Sequence, residues 1–250
     1  MHIGLIGGIG PAATVAYYQR LVDVFGQADV PLQLTIQHAD ITTLTENAKR
    51  MDADAQTEVF AAHIKSLKGA GCDIIGITAL TGHFCMPLLQ AVSRLPILSA
   101  TDAIDTYCAQ KGIARLGLLG NPSVLKSRLF GLLHEVETVV PGEDPEGVGW
   151  TYMEIATKGA CTTHQADLLI AAGAQMMRAQ QADAILLAGT DLGLVFDGLD
   201  PGYPTIDALR LHVDAFVEAA ADKPNLMGLN ASAWASPDTG DLYRKPWSRK

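Results

Sequence analysis

A glycine-rich turn near the N-terminus could bind an anion. The turn, Gly7-Gly8-Ile9-Gly10-Pro11, follows a strand-like run and precedes a helical pattern. Glycine lets the backbone approach a ligand closely, and a helix N-terminus presents unpaired N–H groups to negative charge. The turn therefore predicts a carboxylate or phosphate site at Gly8 and Gly10, with a purely structural tight turn as the alternative. It does not match the dinucleotide fingerprint, because the third glycine is missing and Pro11 interrupts the pattern.

Two further segments place polar side chains directly after buried strand-like runs. One segment is Thr81-Gly82-His83 and the other is Gly189-Thr190-Asp191. Ligands of parallel α/β sheets bind beyond the carboxyl ends of the strands, so we expect the two threonines to bind substrate. The histidine and the aspartate are candidate catalytic groups for proton transfer. Helix capping by these polar residues is the alternative interpretation.

Several other catalytic motifs are absent from the sequence. There is no Gly-x-Ser-x-Gly nucleophile elbow, no Walker-type Gly-Lys-Thr/Ser, and no His-x-x-x-His or clustered His/Asp pattern. The cysteines are spread out without a Cys-x-x-Cys pair, which predicts reduced and mostly buried thiols at Cys72, Cys85, Cys108 and Cys161. We therefore expect neither a metal site nor serine-hydrolase chemistry.

Composition narrows the choice of partner and compartment. The 250 residues carry a formal net charge of −9 without basic runs, which argues against nucleic acid or an anionic membrane surface as the main partner. No apolar run reaches the roughly 18 residues of a membrane span, and the N-terminus lacks the basic region of a signal peptide. We therefore expect a cytoplasmic protein whose partner is a small molecule.

Short apolar runs alternate with helical patterns along the chain. Strands are predicted at 2–7, 32–37, 73–78, 115–119 and 183–188. Helices are predicted at 12–25, 57–70, 101–111, 124–137, 163–181 and 206–221. This alternation is typical of an α/β fold with parallel sheets.

A weak internal repeat divides the chain. Ile3-Gly4-Leu5-Ile6-Gly7 is similar to Leu116-Gly117-Leu118-Leu119-Gly120, and Asp73-Ile74-Ile75 is similar to Asp183-Ala184-Ile185. Two matches at nearly one offset favour two pseudo-symmetric lobes, each a parallel sheet flanked by helices, with an interlobe cleft at the strand ends. We predict that 1–97 plus 207–221 form lobe 1, that 98–206 form lobe 2, and that 222–250 are an irregular or partly disordered extension.

Over residues 1 to about 221, the order and spacing of these motifs resemble the aspartate/glutamate racemase superfamily, specifically its aspartate racemase branch. The resemblance starts at Gly7-Gly8-Ile9-Gly10-Pro11-Ala12-Ala13-Thr14, runs through both polar segments and ends at Tyr203-Pro204-Thr205-Ile206-Asp207. It implies the two-lobe fold, a homodimer, no cofactor, and a small carboxylate or amino acid as substrate. It also implies two cysteines, one from each lobe, that remove and return a proton on opposite faces of the α-carbon.

The chain departs from that pattern at both cysteine positions. Ala79 stands at the first and Gly189 at the second, and neither side chain accepts a proton. A threonine after Gly120 is also replaced, within Asn121-Pro122-Ser123-Val124. Two-thiol racemisation is therefore not expected. The remaining acids and bases are His83, Asp191, Lys158 and Asp40, and the candidate displaced thiols are Cys85 and Cys161, the latter before a helix where a thiol pKa can be lowered.

Three functions fit these residues. The first is an enzyme that acts on a small carboxylate by other proton chemistry, as an isomerase, lyase or decarboxylase. The second is a non-catalytic homologue that binds a carboxylate. The third is a true amino-acid racemase in which a displaced thiol reaches the cleft.

Overall fold

The computed structural model describes residues 1–221, and the predicted extension at 222–250 lies outside the described residues. The strands form two sheets of four, and every pairing is parallel. Helices flank both sheets. The structure therefore confirms the predicted α/β fold with two lobes.

The first sheet contains the N-terminal strands, which are β1 (His2–Gly7), β2 (Gln33–His38), β3 (Ile74–Ile77) and β4 (Ile97–Leu98). They lie in the order β2-β1-β3-β4. The helices among them are α1 (Pro11–Gln27), α2 (Ile41–Arg50), α3 (Ala53–Gly69) and α4 (Met86–Val92), and a 3₁₀ turn, Leu80–Cys85, follows β3. The central strands β1 and β3 are buried on both faces, whereas the edge strand β2 is mostly exposed or half-buried.

The second sheet repeats this plan with β5 (Arg115–Gly120), β6 (Glu137–Val139), β7 (Ala184–Ala188) and β8 (Thr205–Asp207), in the order β6-β5-β7-β8. Its helices are α5 (Ala100–Lys111), α6 (Pro122–Ser127), α7 (Pro145–Lys158), α8 (Thr163–Ala179) and α9 (Gly193–Phe196). Further 3₁₀ turns lie at Leu129–Gly131 and Thr190–Leu192. The repeated strand order gives β7 the place in this lobe that β3 has in the first.

The aspartates of the internal repeat accept backbone hydrogen bonds at equivalent places in the two lobes. Asp73 accepts a hydrogen bond from the backbone N–H of His2 at 2.7 Å, at the start of β1. Asp183 accepts from the N–H groups of Ala114 and Arg115 at 2.9 Å, at the start of β5. Each carboxylate therefore ties the beginning of one central strand to its neighbour.

The last helix, α10 (Ala208–Ala221), follows the second sheet but packs against the first. Val213 and Phe216 belong to the same buried cluster as Ile3 and Leu5 of β1. Gly76 in β3 permits this packing, because a Cβ there would lie 2.5 Å from the Phe216 ring. The proposed lobe boundaries are compatible with this return of the chain and stay a prediction.

The predicted helix at 124–137 is wrong over most of its length. The helix α6 ends at Ser127, because Arg128, Leu129 and Phe130 adopt positive φ angles of 51°, 55° and 62°. The strand β6 then occupies the end of the predicted range. The strands and helices that were not predicted are β4, β6, β8, α2, α4, α7 and α9.

Within residues 1–221, no helix combines the length and the apolar character that a bilayer crossing needs. The same part of the chain contains no group of three or more His, Cys, Asp or Glu side chains arranged to hold a metal ion.

Candidate functional site

The glycine-rich turn and the end of β3 form one side of the candidate site. Thr78, the residue after β3, is buried, and its hydroxyl donates to the Ile6 carbonyl at 3.4 Å. The Thr14 hydroxyl in α1 lies 3.0 Å from the Thr78 hydroxyl oxygen. These bonds hold the end of β3 against the glycine turn, and they leave Ala79 half-buried at the edge of the sheet.

A small apolar pocket with a volume of about 10 Å³, the space of about one water molecule, lies beside Ala79. The turn residues Gly7 and Gly8 line it together with Ile9, Leu44 and Phe60. No charged side chain lines this pocket. The first position at which the resemblance implies a cysteine therefore borders an apolar hollow.

The two glycines predicted to bind substrate differ in their surroundings. Gly8 has a φ of 150°, and a Cβ there would lie 2.5 Å from the Ala39 carbonyl oxygen. Gly10 has a φ of 73° and begins α1, but the nearest atom to an added Cβ is 3.9 Å away. No side chain caps this end of α1. Position 8 therefore requires glycine, because the Ala39 backbone leaves no room for a side chain. Gly10 is exposed and precedes the uncapped N-terminus of α1.

Thr81 connects the two lobes. The Asn121 side-chain oxygen accepts from the Val124 N–H at 3.0 Å, which fixes the orientation of the amide. The amide nitrogen then donates to the Thr81 hydroxyl at 2.9 Å. Because that hydroxyl acts as the acceptor here, its own hydrogen is free to donate to a ligand.

His83 is fully buried and its ring is enclosed by backbone. Its Nδ1 donates to the Ala79 carbonyl at 3.0 Å, and its Nε2 accepts from the Ala100 N–H at 3.2 Å. Burial lowers the pKa of His83 to about 4, so the ring is neutral at pH 7. Backbone groups therefore occupy both ring nitrogens of His83.

A second buried histidine, His212 of α10, lies edge-on to His83 with ring centroids 6.4 Å apart. Its Nε2 donates to the Leu98 carbonyl at 2.9 Å, and its Nδ1 accepts from the Tyr17 hydroxyl at 2.8 Å. Burial, followed by the neighbouring His83, lowers the pKa of His212 to about 3. The two neutral rings join α1 and α10 to the segment that carries Ala79.

The second lobe fills its cysteine position differently. Gly189 has extended backbone, and a Cβ there would lie 2.3 Å from the Tyr152 hydroxyl oxygen and 2.4 Å from the Tyr152 Cζ atom. The tip of the Tyr152 ring therefore occupies the space into which a side chain at position 189 would extend.

Tyr152 reaches this place because α7 packs closely on the beginning of α6. A Cβ at Gly149 would lie 2.9 Å from the Pro122 backbone nitrogen, so the two segments touch at this glycine. Tyr152 is three residues further along α7 and shares the same face. This packing directs its ring to the end of β7.

Asp191 and Thr190 lie next to the Tyr152 hydroxyl and are both half-buried. The Tyr152 hydroxyl donates to the Asp191 Oδ2 at 3.5 Å, and the Thr190 hydroxyl donates to the same oxygen at 3.3 Å. Burial and the Asp191 charge raise the pKa of Tyr152 well above its usual value, so the phenol keeps its proton. Two hydroxyls and one carboxylate thus meet at the end of β7.

The cysteines are free, as predicted, and three of the four are buried. Burial raises the pKa of Cys85 to about 11 and that of Cys108 to about 12, which disfavours a thiolate. The pKa of Cys161 is also raised, contrary to the lowering that its place before a helix suggested, because the desolvation of the thiol outweighs its hydrogen bond with Ala166.

The two further candidate acids and bases have structural contacts. Lys158 is exposed and lies 3.6 Å from Glu154 on α7. Asp40 caps α2 by accepting from the Thr43 N–H at 2.8 Å, and this bond lowers the pKa of its carboxyl group.

Tyr152 was not predicted as a site residue, because α7 was not predicted. The Asp144-Pro145 start and apolar residues at 148, 152 and 155 are the signals that could have found it.

Comparison with known proteins gives consistent matches. A family model described as Asp/Glu/hydantoin racemase matches residues 6–216. A Yersinia pestis structure, named as a candidate Asp/Glu racemase, is 25% identical with a TM-score of 0.78, over 88% of this chain and 100% of that chain. An aspartate racemase homologue from Pyrococcus horikoshii OT3 is 20% identical with a TM-score of 0.74, over 88% and 99% of the two chains.

The same fold occurs in a protein with another reaction. An arylmalonate decarboxylase structure is 16% identical with a TM-score of 0.53, over 88% of this chain and 92% of that chain. This likeness concerns the fold alone.

Proposed function

Because the chain belongs to the Asp/Glu/hydantoin racemase family, we propose that it is an isomerase or lyase acting on a small carboxylic acid or acidic amino acid. The substrate binds between the strand ends of the two lobes. The chemistry at its α-carbon is a proton transfer that uses no pair of thiols and no cofactor. The homodimer that the resemblance implies stays a prediction, which light scattering can test.

One observation carries this proposal. The two positions where the resemblance implies cysteines hold Ala79 and Gly189, and the space beside Gly189 is taken by the Tyr152 ring. The methyl side chain of Ala79 cannot act as an acid or a base, and Gly189 has no side chain that could do so. The buried Cys85 thiol has a raised pKa, and the reaction is therefore assigned to other groups.

The polar groups around this space suit a carboxylate. Thr81 has a hydroxyl hydrogen free to donate, and Gly10 lies at the uncapped N-terminus of α1. The Thr190 hydroxyl on the opposite lobe donates to Asp191, so it orients that carboxylate and adds no further donor. Two donor groups of the first lobe can therefore hold the oxygens of one small acid.

Asp191 is the proposed proton carrier. It is half-buried at the end of β7, and its Oδ2 accepts two hydroxyl hydrogen bonds. A carboxylate held in this way has a fixed orientation, which general acid–base catalysis requires. His83 is assigned a positioning role, because backbone groups occupy both of its nitrogens.

The proposal is tested by following the α-hydrogen in deuterated water. Aspartate, glutamate and related small acids are incubated with the protein, and exchange is read by NMR. Arylmalonate is added to the panel with a measurement of released CO₂, because an arylmalonate decarboxylase shares the fold. We expect exchange or CO₂ release with at least one acid.

Calorimetry with the same acids separates the remaining outcomes. Binding without turnover would replace the proposed enzyme by a non-catalytic carboxylate-binding protein. The absence of both binding and turnover across the panel would reject both functions.

A further inference from the structure

We propose that the Tyr152 hydroxyl takes the place of a side chain at position 189 and donates a hydrogen bond to the substrate from the second lobe. This inference rests on the proposed function, since it assigns a role within the same site. It adds a residue from α7, 37 positions away from Gly189 in the sequence, to the groups at the end of β7.

The space beside Gly189 establishes the position of this hydroxyl. A Cβ on Gly189 would lie 2.3 Å from the hydroxyl oxygen, 2.4 Å from Cζ and 2.6 Å from Cε2. Two non-bonded atoms cannot approach so closely, so a side chain at 189 and the Tyr152 ring exclude each other. The hydroxyl therefore stands within a bond length or two of where a side chain at position 189 would begin.

The bonding of the hydroxyl leaves it able to serve a ligand. Its contact with Asp191 is 3.5 Å long, at the outer limit of a hydrogen bond. A ligand oxygen at normal distance would accept a stronger bond, and Asp191 would keep its bond from Thr190. The phenol keeps its proton throughout, so its role is donation of a hydrogen bond and no proton leaves it.

Tyr203 provides a matched control in the same lobe. Its ring also lies over a glycine, since a Cβ on Gly173 would be 2.2 Å from the Tyr203 hydroxyl. That hydroxyl donates to the Ile170 backbone carbonyl at 2.9 Å, so it is fully used within the fold. Tyr152→Phe and Tyr203→Phe therefore remove the same atom from similar surroundings, and only one of them removes a proposed ligand contact.

The position of the ring is tested without any substrate. We expect Gly189→Ala to lower the melting temperature in the wild type and in Tyr152→Phe, and to have little effect in Tyr152→Ala, where the ring is gone. Gly26→Ala is the control, because an added Cβ there has no atom within 4 Å. If Tyr152→Ala does not fold, the comparison of Gly189→Ala with Gly26→Ala decides. Equal melting temperatures for those two would overturn the assigned position.

The role of the hydroxyl is tested with the best acid from the deuterium-exchange panel. We expect Tyr152→Phe to lower kcat/KM by about 100-fold, the usual loss for one donor to a reacting oxygen, and Tyr203→Phe to change it less than about threefold. Tyr203→Phe is expected to lower the melting temperature more than Tyr152→Phe, because it loses the shorter hydrogen bond. Equal kcat/KM values for the two variants would refute the donor role.

Failure of this inference differs from failure of the proposed function. An active wild type with an equally active Tyr152→Phe variant rejects the donor role alone. A wild type that neither binds nor converts any acid rejects the proposed function and the donor role together. In that case the melting experiments on Gly189→Ala still decide whether the ring occupies the position.

Discussion

Acid should weaken the fold through His83 and His212, which are both buried and neutral. Every ring nitrogen of the pair is in a hydrogen bond that fits the neutral form. A proton added to either ring would place a charge in the interior and break the bond accepted by its unprotonated nitrogen. The native state therefore resists protonation, whereas the unfolded chain does not.

The magnitude follows from the pKa values. His83 and His212 have folded pKa values of about 4 and about 3, against an ordinary value of 6.5. Above pH 6.5 both states hold neutral rings, and the histidines add no pH dependence. Below it the unfolded chain gains protons first, so each histidine lowers the free energy of unfolding by about 1.4 kcal/mol per pH unit. From pH 7 to pH 4.5 the loss is roughly 2–3 kcal/mol for each histidine and about 5 kcal/mol for the pair.

The test is urea unfolding of the wild type and His212→Gln at pH 7, 6, 5 and 4.5, followed by far-ultraviolet circular dichroism. At pH 7 we expect the variant to be less stable by about 1–3 kcal/mol, because glutamine reproduces the two hydrogen bonds imperfectly. This gap should narrow by roughly 2–3 kcal/mol at pH 4.5, because the variant lacks one of the two histidines.

The comparison of the wild type with His212→Gln cancels the contribution of the other titrating groups to the pH dependence of stability. Burial raises the pKa of Glu218 to about 7 and also raises those of Asp102 and Asp197, and these carboxyl groups favour folding as the pH falls. They are present in both proteins and cancel in the difference. His164→Gln is the control, because it removes a histidine from the exposed surface and leaves the buried pair in place. A gap between wild type and His212→Gln that does not change with pH would refute the reasoning.

Three further predictions concern the site. Gly8→Ala should cost about 3 kcal/mol and Gly10→Ala about 1 kcal/mol in urea unfolding, because only the first Cβ meets backbone; equal losses would contradict this. Thr81→Val keeps the Asn121 cap of α6 but removes the hydroxyl that accepts from the Asn121 amide, and should cost about 1 kcal/mol; an unchanged stability would show that this interlobe bond contributes nothing. Cys85→Ala and Cys161→Ala should retain α-proton exchange within about threefold, whereas an inactive folded variant would restore the displaced-thiol hypothesis.

The central strands and the six-residue edge strand β2 were predictable, whereas the edge strands of two or three residues were not. Strands such as β3 and β7 are buried on both faces, so their apolar runs are continuous in the sequence. The strand β4 has two residues and β8 has three, which is too short for any periodic pattern. The helix predicted at 124–137 failed because three consecutive non-glycine residues with positive φ interrupt it, and Gly131 comes only after them.

The site was predictable in part for a similar reason. Thr81 and Thr190 follow central strands, and the rule for parallel sheets places such residues at one edge. The enclosure of His83 depends on Ala100 and on His212, which the fold brings from distant segments. The place of Tyr152 likewise depends on the packing of α7 on α6. Contacts of this kind are set by tertiary structure and have no local pattern in the sequence.

The two lobes repeat one strand order, but the side chains at the ends of β3 and β7 differ. An apolar pocket lies beside Ala79 at the end of β3. At the end of β7, the hydroxyls of Tyr152 and Thr190 meet the Asp191 carboxylate. A planar intermediate bound between these two strand ends would have a proton carrier, Asp191, on only one of its faces. Such a site would return the proton to one face of the intermediate and would give a single enantiomer as product.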